Sequence, residues 1–375
     1  MKIKNQGTVV VGRKDTDMQS CAFPHICILP SGRWLCSFRA APEKAATTGQ
    51  HPMLTWSDDE GKCWSNPIAP FVPPDVDGKP GLFRSLSPTA MDGQEMLGVL
   101  FWVDHSDPSL PFFNEQTEGL LDTRIFLVKS VDNGETWSQS QLVDTSPFNV
   151  PVATTGPILR LPNGDLACQF ELNKHYYDTS VWRHSSVFKF SMDGGKTWPC
   201  HAISSNDPEN RIFYWDQRPS VLPDGQVLDL FWTYDNQDGV YLNIHGRESL
   251  DNGRTWSEMW NAGIPGQPAP PVALPDGTIG MVYVDRTAIP VIKMRTSKDN
   301  GRTWPGETEI IIYETAGVSQ TQKKASMQDA WAEMGKFSVG LPATSVMANG
   351  DIVVVYYAGP HTDQTNIEWV RLQSK

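Results

Sequence analysis

Several features are scarce in this 375-residue sequence, and each shortage excludes a class of protein. No apolar run approaches the roughly 20 residues needed to span a membrane, and the N-terminal MKIKNQGTVVVG is too short in apolar residues for a signal peptide. We therefore expect a cytoplasmic protein, or a secreted one if a leader has been removed. Cysteines are few and lack a Cys-x-x-Cys pair, which predicts mostly buried free thiols; they are Cys21, Cys27, Cys36, Cys63, Cys168 and Cys200.

Positive charge is also scarce, because 31 Lys and Arg face 43 Asp and Glu, for a net charge of −12. Nucleic acids and anionic membranes require a concentrated positive field, so we expect neither as a partner. An anionic ligand would need a local cluster of arginines. We also expect no metal or cofactor, since no ligand spacing connects His25, His51, His105, His175 and His361.

Two short signals repeat along the chain. The first is a tight turn, found six times as LPSG at 29–32, MDG at 91–93, LPNG at 161–164, LPDG at 222–225 and 274–277, and ANG at 348–350. The second is an SxDxGxTW box, found five times at 57–64, 130–137, 191–198, 249–256 and 297–304. Asn-Gly and Asp-Gly between apolar segments are strong hairpin signals, so each repeat is predicted to be strand, turn, strand, loop, strand, box, strand.

Six such units, about sixty residues apart, predict an all-β six-bladed propeller that forms a single domain over residues 1–375. The chain ends at IEWVRLQSK, where a sixth box would begin. The N-terminal segment KIKNQGTVVV is therefore predicted to supply the missing outer strand of the last blade. The best helix candidate is SMQDAWAEMGK at 326–336, with Ser326 as its N-cap.

The aspartate of each box has a structural use. Asp251 can accept backbone N–H groups across its turn, Gly253 supplies a left-handed residue, and Trp256 offers a large packing surface. In a four-stranded meander the tight turns and the boxes share one face. The loops between second and third strands lie on the opposite face, where we expect the binding residues.

Repeated SxDxGxTW boxes in a six-bladed ring resemble the sialidase superfamily, also called BNR or Asp-box proteins, and the resemblance spans nearly the whole chain. It implies a glycan as ligand and, for true sialidases, an arginine triad, an acid/base aspartate and a tyrosine nucleophile assisted by a glutamate. Members also include other exo-glycosidases and proteins without established catalysis.

Three departures from that pattern predict that the chain is not a true sialidase. The Arg-Ile-Pro motif of the first blade corresponds to residues 22–24, Ala-Phe-Pro. Arg39 matches a further active-site arginine, but only Glu43 stands where the acid/base aspartate should follow. The last blade has Phe-Ser-Val-Gly at 337–340 instead of the tyrosine.

The face opposite the boxes is rich in groups suited to a carbohydrate site, because aromatic rings stack on sugars, carboxylates act as acids or bases, and arginines bind anions. The candidate catalytic residues are Glu171, Asp216, Asp235, Asp285, His175 and Tyr177. The candidate substrate-binding residues are Arg39, Arg84, Arg218, Arg286, Trp102, Trp232 and Tyr357. Insertions at 104–123 and 314–337 are predicted to narrow this face into a pocket, which favours action on a chain end.

Three functions remain open at this point. The first is an exo-acting glycoside hydrolase that uses a carboxylate pair to remove a terminal, acidic or polar sugar. The second is a polysaccharide lyase, in which His175 or Tyr176 and Tyr177 remove the proton beside a uronate carboxylate. The third is a non-catalytic propeller that binds glycans.

Overall fold

The computed structural model of the chain describes residues 1–315 and 323–374. The first repeat follows an N-terminal strand, and the second carries two short strands in its long loop. These strands are β1 (Lys2–Val10), β2 (Ser20–Ile28), β3 (Trp34–Ala41), β4 (His51–Ser57), β5 (Gly81–Ala90), β6 (Met96–Asp104), β7 (Phe113–Asn114), β8 (Gly119–Leu120), β9 (Thr123–Ser130) and β10 (Gln141–Leu142).

The middle repeats begin with β11 (Val152–Thr154), β12 (Leu159–Arg160), β13 (Leu166–Leu172), β14 (Ser185–Ser191) and β15 (Cys200–Asn206). They continue with β16 (Ile212–Val221), β17 (Val227–Asp235), β18 (Val240–Tyr241), β19 (Asn243–Ser249) and β20 (Trp260–Pro265). The remaining elements are β21 (Gln267–Pro268), β22 (Val272–Ala273), β23 (Ile279–Asp285), β24 (Val291–Ser297), a 3-10 helix (Gly306–Thr308), β25 (Ile310–Glu314), α1 (Met327–Gly335), β26 (Val339–Val346), β27 (Ile352–His361) and β28 (Gln364–Gln373).

The fold is all-β and propeller-like, with antiparallel sheets in chain order. Four sheets have the orders β10-β9-β6-β5, β11-β13-β14-β15, β16-β17-β19-β20 and β21-β23-β24-β25, and β12, β18 and β22 add short pairings to the last three. The first and last repeats are not separate, because they share the seven-stranded sheet β26-β27-β28-β2-β3-β4, to which β1 adds by pairing with β28. The join between β28 and β2 is a single parallel pair, Ser20 with Thr365.

Helix α1 begins as predicted, since the Ser326 side chain accepts a hydrogen bond from the backbone N–H of Asp329 at 3.2 Å. The six cysteines are free thiols, four of them buried, while Cys63 and Cys200 are exposed. Within the described ranges, no helix is long and apolar enough to cross a membrane. The same ranges contain no group of three or more His, Cys, Asp or Glu side chains placed to hold a metal ion.

The boxes are structural turns, as predicted. In the box at 249–256, the Ser249 hydroxyl accepts the N–H of Gly253 at 2.8 Å and donates to Asp251 at 2.8 Å. Asp251 in turn accepts the N–H of Thr255 at 2.8 Å, and Gly253 has a φ of +80°. The other four boxes repeat the same bonds from serine and aspartate. The box carboxylates are therefore occupied within their own turns.

Replacing Ser249 with alanine should lower the free energy of unfolding by about 1–3 kcal/mol, because the buried N–H of Gly253 loses its acceptor. Urea denaturation followed by tryptophan fluorescence measures this change. The exposed turn residue Ser31, replaced by alanine, is the control and should leave stability nearly unchanged. A Ser249→Ala protein as stable as the control would contradict the structural role of the box.

Candidate functional site

A cavity of about 910 Å³ opens on the face predicted to carry function. Its wall comes from the inner strands β2, β5, β16 and β26, the loops at 43–50 and 104–121, and helix α1. None of the five boxes contributes a residue to it. The loop at 104–123 and helix α1 therefore narrow this face, as predicted from the two insertions. Residues 316–322 of the second insertion lie outside the described residues.

Irregular backbone surrounds the cavity. Phe23, Asp216 and Leu341 line it with φ values of +54°, +51° and +42°, a region that non-glycine residues rarely adopt. Each lies at a register shift in its inner strand, between residues 22 and 25, 215 and 218, and 340 and 343. Such positions cost of order 1–3 kcal/mol each and cluster at functional sites. The three bulged inner strands therefore support this cavity as the candidate site independently of its side-chain chemistry.

Asp216 is the sequence-predicted catalytic carboxylate that lines the cavity. Its Oδ1 lies 3.3 Å from Nη2 of Arg218, and its Oδ2 accepts a hydrogen bond from the amide of Gln267. The amide oxygen of Gln267 accepts a bond from Nη1 of Arg286 at 3.0 Å. Asp216, Arg218, Gln267 and Arg286 therefore form one continuous polar chain across two sheets.

Arg286 is buried and its guanidinium is held from several directions. Nη2 donates to the backbone oxygen of Val339 at 2.9 Å, and the guanidinium lies 4.0 Å from the ring centre of Phe337. Burial lowers the pKa of Arg286, although Tyr357 and other neighbours oppose this effect. Gly340 is required beside it, because a Cβ at that position would collide with Nη2 of Arg286.

Tyr357 brings a phenol hydroxyl to the same wall from the second strand of its sheet. Its partner in the register is Gly340, and a Cβ on Gly340 would lie 3.2 Å from the hydroxyl. Burial raises the pKa of Tyr357 to about 12, although Arg286 opposes the rise. The phenol is therefore protonated near neutral pH unless a base takes its proton.

Lys44, which the sequence reasoning missed, lies between the first repeat and helix α1. Its ammonium donates to the backbone oxygens of Met334 at 2.8 Å and Phe337 at 2.6 Å, and lies 3.4 Å from the hydroxyl of Tyr357. Burial, then Arg286 and Arg39, lower its pKa to about 7, while Asp363 acts in the opposite direction. The position of Lys44 next to Glu43 and Arg39 was the only sequence signal for it.

Two further arginines lie on the side of the first two repeats. Arg84 lines the cavity with its guanidinium 4.2 Å from the ring centre of Phe112, and burial lowers its pKa to about 10. Arg39 lies behind the wall, only 1% exposed, and donates from Nη1 to the backbone oxygen of Lys44 at 2.9 Å. Its guanidinium is 5.6 Å from the ring centre of Phe23, which does line the cavity.

His25 was considered only as a metal ligand, yet it lines the cavity. Its Nε2 lies 3.0 Å from the hydroxyl of Ser87, another lining residue. Burial and the nearby Arg218 lower the pKa of His25 to about 3. The imidazole is therefore neutral over the physiological range and can serve as a hydrogen-bonding group.

A catalytic pair was expected from Glu171, Asp216, Asp235 and Asp285, but of these four carboxylates the cavity is lined by Asp216 alone. Glu171 is buried with Oε2 3.5 Å from Nε2 of His184. Asp235 pairs with Arg211 at 2.6 Å and accepts N–H groups of its own turn. Asp285 pairs with Lys293 at 3.1 Å and accepts bonds from the residue two positions on. Asp235 and Asp285 are thus held by hydrogen-bonded partners, whereas Glu171 lies near His184 and its Oε1 has no hydrogen-bond partner among the described residues.

His175, Tyr177 and Trp102 also lie outside the cavity, contrary to expectation. The imidazole of His175 contacts the backbone oxygen of Asn149 at 2.9 Å, and Tyr177 is 73% exposed. Trp102 is fully buried, and its indole N–H donates to Pro74 at 3.0 Å. Trp232 does line the cavity, but most of its ring is buried against Tyr241, with which it stacks at 4.6 Å.

The pH dependence of stability tests the environment of Lys44. The folded protein releases the Lys44 proton near pH 7, whereas the unfolded chain retains it up to the ordinary pKa of 10.5. Between these values the unfolded state binds more protons, so this residue makes the free energy of unfolding rise with pH. The wild-type protein should gain stability relative to Lys44→Met as the pH rises from about 6 to about 9.

Denaturation curves of both proteins at matched pH values measure this difference, in which the contributions of other titrating groups cancel. The exposed Lys62, replaced by methionine, is the matched control and should give a difference independent of pH. A flat difference for Lys44→Met as well would contradict the lowered pKa.

Comparison with known proteins supports the all-β fold built from repeats. The BNR repeat-like domain matches residues 88–354. No curated protein gives a significant sequence match. A protein of unknown function from Dyadobacter fermentans DSM 18053 is 18% identical, with a TM-score of 0.73 and 100% of both chains covered. The Hadza microbial sialidase Hz136 is 16% identical, with a TM-score of 0.69, covering 99% of this chain and 68% of the other.

A third similar structure is the Penicillium chrysogenum alpha-L-arabinanase complexed with arabinobiose, at 18% identity and a TM-score of 0.65, covering 100% of this chain and 99% of the other. Identities this low show a shared fold alone. The match to the repeat-like domain covers well over half of the sequence, and the chain therefore belongs to the BNR repeat-like family, with a sialidase-like propeller fold.

Proposed function

We propose that this protein is an exo-acting glycoside hydrolase that removes a terminal acidic sugar from a glycan. The observation that carries the proposal is the convergence of Arg84, Arg218, Arg286, Asp216 and Tyr357 on one cavity. Its volume of about 910 Å³ lies within the range of small-ligand sites. Arginines suit an anionic ligand, while the carboxylate and phenol supply groups for proton transfer and nucleophilic attack.

Action on a chain end is supported by the cover over one side of the cavity. The ring of Phe113 stacks on Trp331 of α1 at 4.3 Å, with an interplanar angle of 10°. The amide of Gln328, also on α1, donates to the backbone oxygen of Glu115 at 2.7 Å. Because α1 and the loop at 104–121 pack on each other, an internal segment of a polysaccharide has less room than a terminal sugar.

The catalytic roles must differ from those in a true sialidase, since Phe337 replaces the expected tyrosine. In our proposal the hydroxyl of Tyr357 attacks the anomeric carbon while Asp216 accepts the phenolic proton. Glu43, which lines the cavity, protonates the departing oxygen and then takes a proton from the water that displaces Tyr357 from the sugar. Asp216 returns the phenolic proton to Tyr357 as this bond breaks. Arg286, a charged neighbour of Tyr357, favours the phenolate that forms during this transfer.

The other two functions have less support. The lyase hypothesis assigned proton removal to His175 or to Tyr176 and Tyr177, none of which lines the cavity. A non-catalytic glycan-binding protein needs no proton-transfer group. The cavity wall nevertheless contains two such groups, Asp216 and Tyr357, and each has a cation nearby. Both remain as outcomes of the assay below.

Asp216→Asn and Tyr357→Phe should each lower kcat by about 100-fold or more on aryl glycosides of acidic sugars, since each removes a proton-transfer or nucleophilic group. Release of the aryl alcohol measures the rate. Asp224→Asn, at an exposed turn on the box face, is the matched control and should keep full activity. Full activity in both cavity variants would refute these roles. An unsaturated product that absorbs in the ultraviolet would indicate a lyase. Binding of the glycoside without release of the aryl alcohol would indicate a non-catalytic protein.

We also propose that residues 1–375 form one six-bladed ring closed by β1. In this proposal the seven-stranded sheet is two blades, β26-β27-β28-β1 and β2-β3-β4, joined at one parallel pair. The support is the antiparallel register of β1 on β28, from Lys2 with Gln373 to Val10 with Ile367.

Removal of residues 2–10 tests ring closure. It should lower Tm by more than 10 °C, because β28 loses its whole outer partner and the ring of Trp369 loses its cover from Gly7. Differential scanning calorimetry measures Tm, and the exposed Lys2 replaced by alanine in the full chain is the control. A truncated protein with unchanged Tm would contradict closure by β1.

A further inference from the structure

Lys44 lines the cavity but takes no part in the reaction as proposed. Its ammonium contacts three oxygen atoms, which is the full donor capacity of a lysine. Two of the contacts are hydrogen bonds to the backbone oxygens of Met334 and Phe337, at 2.8 Å and 2.6 Å. The third acceptor is the phenolic oxygen of Tyr357, at 3.4 Å. The proposed nucleophile is therefore in direct contact with a cation.

The main chain of Lys44 is held as well as its ammonium. The backbone N–H of Lys44 donates to Oδ1 of Asp363 at 3.2 Å, and its backbone oxygen accepts a hydrogen bond from Nη1 of Arg39 at 2.9 Å. Met334 lies in the last turn of α1 and Phe337 follows this helix, so both backbone oxygens belong to the end where the helix dipole favours a positive charge. Lys44 is thus fixed at both ends, as a positioned catalytic group requires.

Charged groups from several elements act on Lys44. Burial, then Arg286 after β23 and Arg39 on β3, lower the pKa of Lys44 to about 7. Asp363, in the turn between β27 and β28, acts in the opposite direction. Glu43, its neighbour in the same loop, is exposed to solvent. The ammonium form therefore predominates below about pH 7 and is lost as the pH rises further.

We infer that Lys44 is a further catalytic residue, whose ammonium donates a hydrogen bond to the phenolic oxygen of Tyr357 while that oxygen carries negative charge. The inference rests on the proposed function, in which Tyr357 is the nucleophile.

Lys44 keeps its proton throughout the proposed reaction. In the first step the phenolic proton of Tyr357 passes to Asp216, the phenolic oxygen bonds to the anomeric carbon, and the departing oxygen receives the proton of Glu43. In the second step water gives a proton to Glu43 and bonds to the anomeric carbon, while the bond to Tyr357 breaks and Asp216 returns the phenolic proton. Because negative charge develops on the phenolic oxygen in both steps, a fixed N–H donor at that oxygen lowers both barriers.

The rate of aryl glycoside hydrolysis as a function of pH tests this role, with the same glycosides of acidic sugars and the same release of aryl alcohol. At about pH 6, Lys44→Met should lower kcat by about tenfold or more, because the phenolic oxygen loses a donor. At about pH 9 the wild-type residue has lost its own proton, so the ratio of the two rates should fall towards one. Arg286 stays charged over this range, and its contribution cancels in the ratio.

Lys62→Met makes the same substitution at an exposed lysine outside the cavity and should keep the wild-type rate at every pH. Lys44→Arg keeps a charge that does not titrate in this range, so its rate should fall less than that of the wild-type protein between the two pH values. Thermal denaturation checks that each variant is folded. The inference is overturned if Lys44→Met keeps the wild-type rate, or if its loss is equal at both pH values, as displacement of α1 would cause.

Nuclear magnetic resonance of protein labelled with ¹³C in its lysine side chains gives a second test that needs no turnover. The signal of Lys44, identified by its absence from Lys44→Met, should titrate near pH 7. Tyr357→Phe removes an oxygen that accepts a hydrogen bond from the ammonium, so it should lower this midpoint by about 0.5 pH unit or more. The exposed Lys62 should titrate identically in both proteins. An unchanged Lys44 midpoint in Tyr357→Phe would overturn the contact and with it the inference.

The inference and the proposed function fail in different ways. Hydrolysis that requires Asp216 and Tyr357 but not Lys44 would overturn the inference and leave the proposed function in place. A wild-type protein that releases no aryl alcohol would overturn the proposed function together with the catalytic role of Lys44, and the resonance measurement would then support the contact alone.

Discussion

The hydrogen bonds between the serine, glycine and aspartate of each box are the interaction on which the rest of the structure depends. They close the turn that follows the third strand in five repeats, and in four of these an outer strand comes next. The box carboxylates are used within that turn. These turns lie away from the cavity, on the opposite face of the sheets. Long loops, a helix and strained inner strands all occur on the cavity face, and the cavity opens among them.

Much of the fold could be predicted because turn and box signals are local. Glycine at positive φ and aspartate beside a backbone N–H are requirements of a few residues, so the sequence displays them directly. Ser326 as the N-cap of α1 was predictable for the same reason. The merging of the first and last repeats was not, because the pair Ser20 with Thr365 joins residues at opposite ends of the chain.

The site was only partly predictable. Position at the entry of a first strand identified Arg84, Asp216 and Arg218, and position after a second strand identified Arg286. The same reasoning failed for Glu171, Asp235 and Asp285, since their partners His184, Arg211 and Lys293 come from other strands or loops. A carboxylate at the end of a strand can pair with a side chain from another strand or loop, or it can face a ligand. The pattern of a single sequence does not distinguish these two cases.

The departures from the sialidase pattern become consistent when the charges of the cavity are considered together. Phe23, beside the position of the missing first arginine, lies under Arg39, and Phe337, in place of the tyrosine, lies under Arg286. At or next to each position that lacks the polar group, an aromatic ring thus supports a cation from elsewhere. Gly340 then leaves room for the hydroxyl of Tyr357 to reach the wall from the adjacent strand. These changes alter which residues carry charge and the phenol while preserving an aromatic, positively charged cavity, and this combination suits the acidic sugar that we propose as the ligand.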